Sequence, residues 1–308
     1  MHNKAHKLRE LFSRPGVIRL MGAHNALGAK IAERAGFDGI WSSGFELSAS
    51  YCVPDACIIT MSEQLGAAES INFAVSLPVI ADCDTGYGDV DNVIHMVRRF
   101  EGVGIAGVCI EDSEFPKLNS FVRGRHKLVS VAAFVEKIKA AKAAQANRDF
   151  MVIARVQALI AGGDSEEAFD RAVAYAAAGA DAILIHSNER MPRKLFETLK
   201  KWKSEVPLVV VPTMYFQVTA SELAELGVKM IIYANQGLRS AMKAMEETCA
   251  EIIRSGSTAS VESKIASLTD IFRIQSAFEL RCAEPEALTT GPVSDEAMTK
   301  AARGGSEN

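Results

Sequence analysis

The chain has 308 residues, a formal charge of −4 and 48% hydrophobic residues, an ordinary globular composition. The mild acidity argues against a nucleic-acid protein, which carries a basic face. No apolar run approaches the ~20 residues that span a bilayer, and the polar start Met1-His2-Asn3-Lys4-Ala5-His6-Lys7 lacks the core of a signal peptide. The cysteines Cys52, Cys57, Cys83, Cys109, Cys249 and Cys282 form no CxxC pair and read as reduced thiols of a cytoplasmic protein. A chain of this length buries roughly 75% of its unfolded surface, as one α/β barrel or as two smaller domains.

One unit recurs along the chain. Ala35-Gly36-Phe37-Asp38-Gly39-Ile40-Trp41 closes a helical pattern and opens an apolar run, and Gly102–Ile110, Ala178–Ile185 and Leu226–Tyr233 do the same. In each, Gly stops a helix and a β-branched run follows. Continuous apolar strands have both faces covered, so the sheet is parallel. The pattern predicts strands at 17–21, 39–42, 79–82, 108–111, 151–155, 182–186, 208–211 and 230–233. Helices are expected at 26–35, 61–75, 90–102, 131–144, 166–177, 194–203, 220–225 and 238–253. Eight such units in one domain over 1–284 predict a (β/α)8 TIM-type barrel, with a doubly wound open sheet as the competing topology. An extra amphipathic helix is expected over 261–283, with Ile265, Leu268, Ile271, Phe272 and Ile274 needing a surface to cover. Residues 285–308 read as a mobile tail.

In such a barrel, polar residues at the carboxyl ends of strands read as catalytic. They come here one strand after another: His24-Asn25, Ser42-Ser43-Gly44, Asp82 and Asp84, Glu111 and Asp112, Arg155 and Gln157, His186-Ser187, Thr213, Asn235. Any single Asp among them is equally a helix cap. His24, Thr213 and Asn235 lean towards structural roles, and Trp41 is by default a core residue. The convergence of the whole set is what points to a site. Ionised carboxylates resist burial unless paired, so those of Asp82, Asp84 and Glu111 suggest a divalent cation, magnesium or manganese rather than zinc. Arg155 and His186 would face an anion, and Ser43-Gly44-Phe45 offers backbone N–H groups. The combination suits a small anionic substrate and an enolate stabilised by a Lewis acid. The long charged loop 114–125 reads as a lid that brings Lys117 and Asn119 over the substrate.

These segments, together with Phe115-Pro116-Lys117-Leu118-Asn119-Ser120, Ala154-Arg155-Val156 and Ile185-His186-Ser187, resemble the phosphoenolpyruvate mutase branch of the isocitrate lyase superfamily, from about Gly22 to Glu284. The resemblance implies a modified barrel whose last helix is exchanged between subunits in a dimer of dimers. It implies Mg2+ held by Asp82, with Asp55, Asp84 and Glu111 around it. Trp41, Ser43, Gly44, Phe45 and Ser120 would line the substrate. Arg155, His186 and Asn119 would hold a phosphoryl group, and Lys117 would sit on the lid. The implied reaction interconverts phosphoenolpyruvate and 3-phosphonopyruvate. The sister activity, phosphonopyruvate hydrolase, is the alternative: the segment 44–56 looks more like that enzyme, whereas Asn119-Ser120 follows the mutase pattern. The carbon–carbon lyases use a lid cysteine, and no Cys lies between Cys109 and Cys249. The chain departs from the pattern at Ser113, where Lys is usual, and at Gln157, where Glu is usual. These departures lend some weight to a third reading, a non-catalytic barrel used for binding or assembly.

Overall fold

The structure is a computed structural model and describes residues 3–124 and 126–280. Eight strands form a closed parallel barrel in chain order: β1 (Ile18–Ala23), β2 (Gly39–Ser42), β3 (Val79–Asp82), β4 (Gly107–Glu111), β5 (Met151–Val156), β6 (Ala182–Ile185), β7 (Leu208–Val210) and β8 (Val228–Tyr233). Closure is made by β8 pairing with β1, Met230 opposite Ile18. That pairing decides for the barrel over the open sheet.

Around it run α1 (Lys4–Ser13), α2 (Ala26–Arg34), α3 (Gly44–Ser50), α4 (Met61–Ala74), α5 (Val90–Gly102), α6 (Val131–Ala144), α7 (Ser165–Ala177), α8 (Arg193–Lys201) and α9 (Ala220–Glu225), and β8 is followed in the chain by α10 (Gln236–Ser255). Two of these were not expected. The polar composition of the start hides α1, and α3 is only seven residues long, too short for periodicity to register. Local chemistry makes both: the Asn3 side chain caps α1 by accepting from His6 N–H, and Ser43 caps α3 by accepting from Glu46 N–H.

Two apolar layers follow from the alternation of strand side chains. Ile40, Val79, Ala81, Val108, Ile110, Val152 and Ala154 point outward to the helices. Ile18, Leu20, Trp41, Ile80, Cys109, Ile153, Leu184 and Ile232 fill the barrel. Ala5, Leu8 and Leu11 of α1 join this inner layer. Lys4 Nζ donates to the Val75 carbonyl at 2.7 Å, Arg9 Nε donates to the Asp149 carbonyl at 3.1 Å, and Arg9 Nη2 pairs with Asp181 Oδ1 at 2.7 Å. These partners precede β3, β5 and β6, so α1 lies against the amino-terminal end of the barrel, leaving the carboxyl end as the open mouth.

The described residues divide into two compact units, one ending at Ala244 and the other beginning at Met245. In the second, a 3-10 turn at Glu262–Lys264 precedes α11 (Leu268–Ile274), and Phe272 lies edge-on to Phe278 at 6.2 Å. The single helix expected over 261–283 is therefore broken. Ser267 and Asp270 form a capping box that starts α11 afresh. The last residues of that stretch, the tail at 285–308 and Cys282 lie outside the described residues.

Leu8 is fully buried in the inner layer. Leu8→Ala is expected to cost about 2–5 kcal/mol through the lost burial and the cavity left behind, read as a lower urea midpoint.

Candidate active site

The inner parity of each strand continues into the mouth. Ile80 leads to Asp82, Cys109 to Glu111, Ile153 to Arg155 and Gln157, Leu184 to His186, and Val211 to Thr213. Neighbouring strands then set these side chains side by side: Asp82 pairs in register with Cys109, and Glu111 with Arg155. The opposite parity carries Asp112 outward. Its carboxylate accepts from Tyr175 Oη at 2.7 Å and from Gln157 N–H at 2.8 Å, and pairs with Arg171 at 3.2 Å. Burial pushes Asp112 up to about 6 against these partners. Asp112, expected with Glu111 at the mouth, instead braces β4 against α7.

The lid is closed over the mouth. Its base is pinned where Glu114 N–H donates to the Lys127 carbonyl at 2.9 Å, beside a bridge between Ser113 and Leu128. Lys117 Nζ lies 2.9 Å from both Asp55 Oδ1 and Asp84 Oδ1. Asn119 Nδ2 donates to the other Asp55 oxygen at 2.6 Å. Ser120 Oγ accepts from Arg155 Nη2 at 3.2 Å and from Gln157 Nε2 at 3.3 Å, while Phe121 meets the His186 ring edge-on at 5.8 Å. Asn188 Nδ2 holds the Ser120 carbonyl at 2.8 Å. The cavity beneath the lid is about 40 Å3, space for a few waters or one small acid.

Of the expected residues, Trp41, Ser43, Phe45, Asp55, Asp82, Lys117, Asn119, Ser120, Arg155 and His186 line this cavity. Gly44, Asp84 and Glu111 are not among the residues that line it. A Cβ placed on Gly44 would lie 3.6 Å from both Asp82 Oδ2 and Asp84 Oδ1, so the two carboxylates face one space. Glu111 Oε2 accepts from Gln157 Nε2 at 2.7 Å and faces Arg155 Nε at 3.4 Å, while its buried Oε1 has no hydrogen-bond partner among the described residues. Trp41 both packs in the inner layer and floors the cavity. Thr213 and Asn235, assigned structural roles, line it too, joined by Asn235 Nδ2 donating to Thr213 Oγ1 at 3.3 Å. Phe121, Val211 and Ala234 were not anticipated. Aliphatic and aromatic types carry no site signal until the lid and barrel are folded together. His24 stands apart from the cavity lining, paired through Nδ1 with the buried Glu46 at 3.1 Å.

The electrostatics divide the acids. Burial works against the Asp55 carboxylate, but Lys117, Asn119 and Arg155 outweigh it and hold Asp55 below its usual range. Burial pushes Asp82 up to about 7, against the pull of Lys117 and with Asp84 adding repulsion. Burial raises Asp84 as well, with Asp55 and Glu111 repelling it despite Lys117. Asp82 and Asp84 are thus the acids still short of positive charge. Among the described residues no three carboxylate, imidazole or thiol groups yet form a metal cage. The donor set nevertheless fits a hard divalent cation: carboxylate oxygens of Asp82 and Asp84 facing the same space, and the unpartnered oxygen of Glu111. Cys57 accepts from Lys117 N–H at 3.4 Å, and burial with Asp84 nearby pushes its thiol up to about 12, which keeps it protonated and inert.

His186 is held neutral. Burial lowers it well below its ordinary value, and Arg155 and Lys117 add to this. Arg155 Nη2 donates to Nδ1, which leaves the proton on Nε2, a buried atom with no partner among the described residues. The unfolded chain takes up a proton near pH 6.5 that folded His186 refuses. This group's contribution to stability is therefore present above about pH 6.5 and lost as the pH falls below it. Nitrogen-15 NMR is expected to show His186 as the neutral Nε2–H tautomer with no titration between about pH 8 and 6.

Comparison with known proteins places the chain. The family model described as phosphoenolpyruvate phosphomutase matches residues 8–253. The chain is similar to the phosphonopyruvate hydrolase of Variovorax sp. (strain Pal2), at 46% identity over 92% of this chain and 99% of that protein. Among solved structures it is similar to a phosphoenolpyruvate phosphomutase from Streptomyces platensis subsp. rosaceus, with TM-score 0.88, 55% identity and coverage of 89% and 96% of the two chains. It is also similar to a phosphonopyruvate hydrolase in complex with oxalate and Mg2+, with TM-score 0.86, 44% identity and coverage of 92% and 99%.

Proposed function

The chain belongs to the phosphoenolpyruvate phosphomutase family of the isocitrate lyase superfamily, and we infer from its closed lid that it interconverts phosphoenolpyruvate and 3-phosphonopyruvate. The observation that carries this reading is Asn119. Its amide reaches from the lid to Asp55, beside Lys117, over a cavity of about 40 Å3. Such a lid excludes water while a phosphoryl group moves between carbon and oxygen.

In this reading Asp82, Asp84 and Glu111 hold Mg2+, with Mn2+ as a substitute. When bound, the cation supplies Lewis-acid stabilisation of an enolate oxygen. Ser43, Gly44 and Phe45, over Trp41, bind the pyruvyl part. Arg155, the Nε2–H of His186 and the Asn119 amide hold the phosphoryl oxygens. A loose, metaphosphate-like transfer needs positioning and charge rather than a nucleophile, which suits a mouth beside which the Cys57 thiol stays protonated. Lys117 stands between Asp55 and Asp84, 2.9 Å from each, and ties the lid to the mouth. Gln157 takes the place of the usual Glu without adding charge beside Glu111: its amide donates to that carboxylate at 2.7 Å.

A second reading, phosphonopyruvate hydrolase, is favoured by the 46% identity to a hydrolase over nearly the full chain. The two reactions share their charge requirements and differ in whether water reaches the phosphoryl group. The same reading extends to assembly. Exposed Met242, Met245 and Ile253 on α10 support a homo-oligomer, a dimer of dimers with an exchanged C-terminal segment.

Phosphonopyruvate and Mg2+ incubated with the protein and followed by phosphorus NMR separate the readings. Phosphoenolpyruvate is expected; inorganic phosphate with pyruvate would give the hydrolase, and no turnover would remove both. Asn119→Thr is expected to slow isomerisation on the order of 10²-fold and to raise the share of phosphate. Asp82→Ala is expected to abolish metal-dependent turnover.

A further inference from the structure

A lysine stands in α6 where the helix calls for another apolar side chain. The buried positions of α6 are Phe134, Lys137, Ile138 and Ala141, the spacing of a core-facing stripe. Lys137 is 8% exposed, and a buried ammonium is costly unless its donors are satisfied. Its Nζ donates to the Thr85 carbonyl at 3.0 Å and to the Gly88 carbonyl at 2.7 Å. Both carbonyls belong to the turn that leaves β3 and carries Asp84. That turn needs unusual backbone: φ is 50° at Asp84, 90° at Gly86, 62° at Tyr87 and 150° at Gly88. Left-handed values at Asp84 and Tyr87 persist only where the surroundings over-determine them. From the mouth side, Glu111 N–H donates to the Asp84 carbonyl at 2.8 Å. From behind, the turn is held by Lys137.

We infer that Lys137 is a positioning residue for the acidic turn, clamping Thr85 and Gly88 so that Asp82 and Asp84 present their oxygens together to a divalent cation. Lys137 is not among the residues that line the mouth cavity, so it acts through the turn. The inference rests on the reading of Asp82, Asp84 and Glu111 as the metal-holding set, and it deepens that reading.

The test is Mn2+ affinity of the full chain without substrate, measured by electron paramagnetic resonance. Lys137→Met keeps the length and apolar packing of the side chain and removes the donors. It is expected to weaken Mn2+ about tenfold or more, the size of effect seen when a group supporting metal ligands is lost. Ile138→Val, a neighbour on the same buried stripe, is expected to lower the thermal midpoint and leave Mn2+ affinity unchanged. Lys137→Gln keeps an amide NH2 group as donor without the charge and is read in place of the methionine variant should that variant not fold, with a smaller loss in the same direction. A variant at Lys137 that binds Mn2+ within about twofold of wild type, or an Ile138→Val loss as large as that at Lys137, overturns the inference. Wild-type protein that binds no Mn2+ overturns the metal-site reading itself, and the inference with it.

Discussion

The mouth of this barrel concentrates negative charge where water is scarce. Asp55, Asp82, Asp84 and Glu111 are gathered there, while Lys117 and Arg155 are the buried cations set against them and His186 stays neutral. Among the described residues, four carboxylates against two cations leave an excess of two negative charges if all are ionised. At low dielectric that excess cannot stand unrelieved. The protein alone relieves it by raising Asp82 and Asp84 towards their protonated forms. One divalent cation would relieve it without protons, and the excess matches its charge. The same imbalance explains why Lys117 is drawn in from the lid: an ammonium 2.9 Å from two carboxylates is the charge the closed chain can supply from within itself. Lid position and acid charge are therefore one linked variable.

The barrel makes this concentration affordable to assemble. Alternation along each strand sends one residue inward and the next outward, so Asp82, Glu111, Arg155 and His186 extend inner rows that begin with Ile80, Cys109, Ile153 and Leu184. The apolar rows beneath fix the polar ends above. The register between neighbouring strands, Glu111 opposite Arg155, then places a guanidinium beside a carboxylate with no loop required. Asp112 shows the rule from the other side. One residue further along, it faces outward and is absorbed by Tyr175 and Arg171.

That parity also explains what could be read from the sequence. Gly-terminated helices followed by apolar runs made eight strands legible, because each repeat carries its own punctuation. Strand-end position made Asp82, Glu111, Arg155 and His186 legible as a set. Parity within a continuously buried strand was not legible, since residues on both faces are apolar and give no alternation. Hence Asp112 was grouped with Glu111. The roles of Lys117 and Asn119 were foreseeable as a lid, but not that the lid meets Asp55, which lies outside the strand ends. Thr213 and Asn235 read as structural because small polar residues at strand ends are common, and only barrel closure brings them to the cavity wall. The long helix expected over 261–283 failed for a local reason: Ser267 and Asp270 favour a new helix start over continuation of the pattern.

Mutase and hydrolase differ less in what the mouth must bind than in what it must keep out. Both need a cation for the enolate and donors for the phosphoryl group, so the strand-borne residues serve either reaction. Substantial identity to proteins of both names is the expected result of that shared demand. Discrimination falls to the lid and the residues it touches. Here the lid contributes an amide at Asn119 and a hydroxyl at Ser120, which is bonded to Arg155 and Gln157, and its Phe121 ring lies against His186. In the isomerase reading, a lid anchored to Asp55, Arg155 and Gln157 would favour return of the phosphoryl group to its own enolate over capture by solvent.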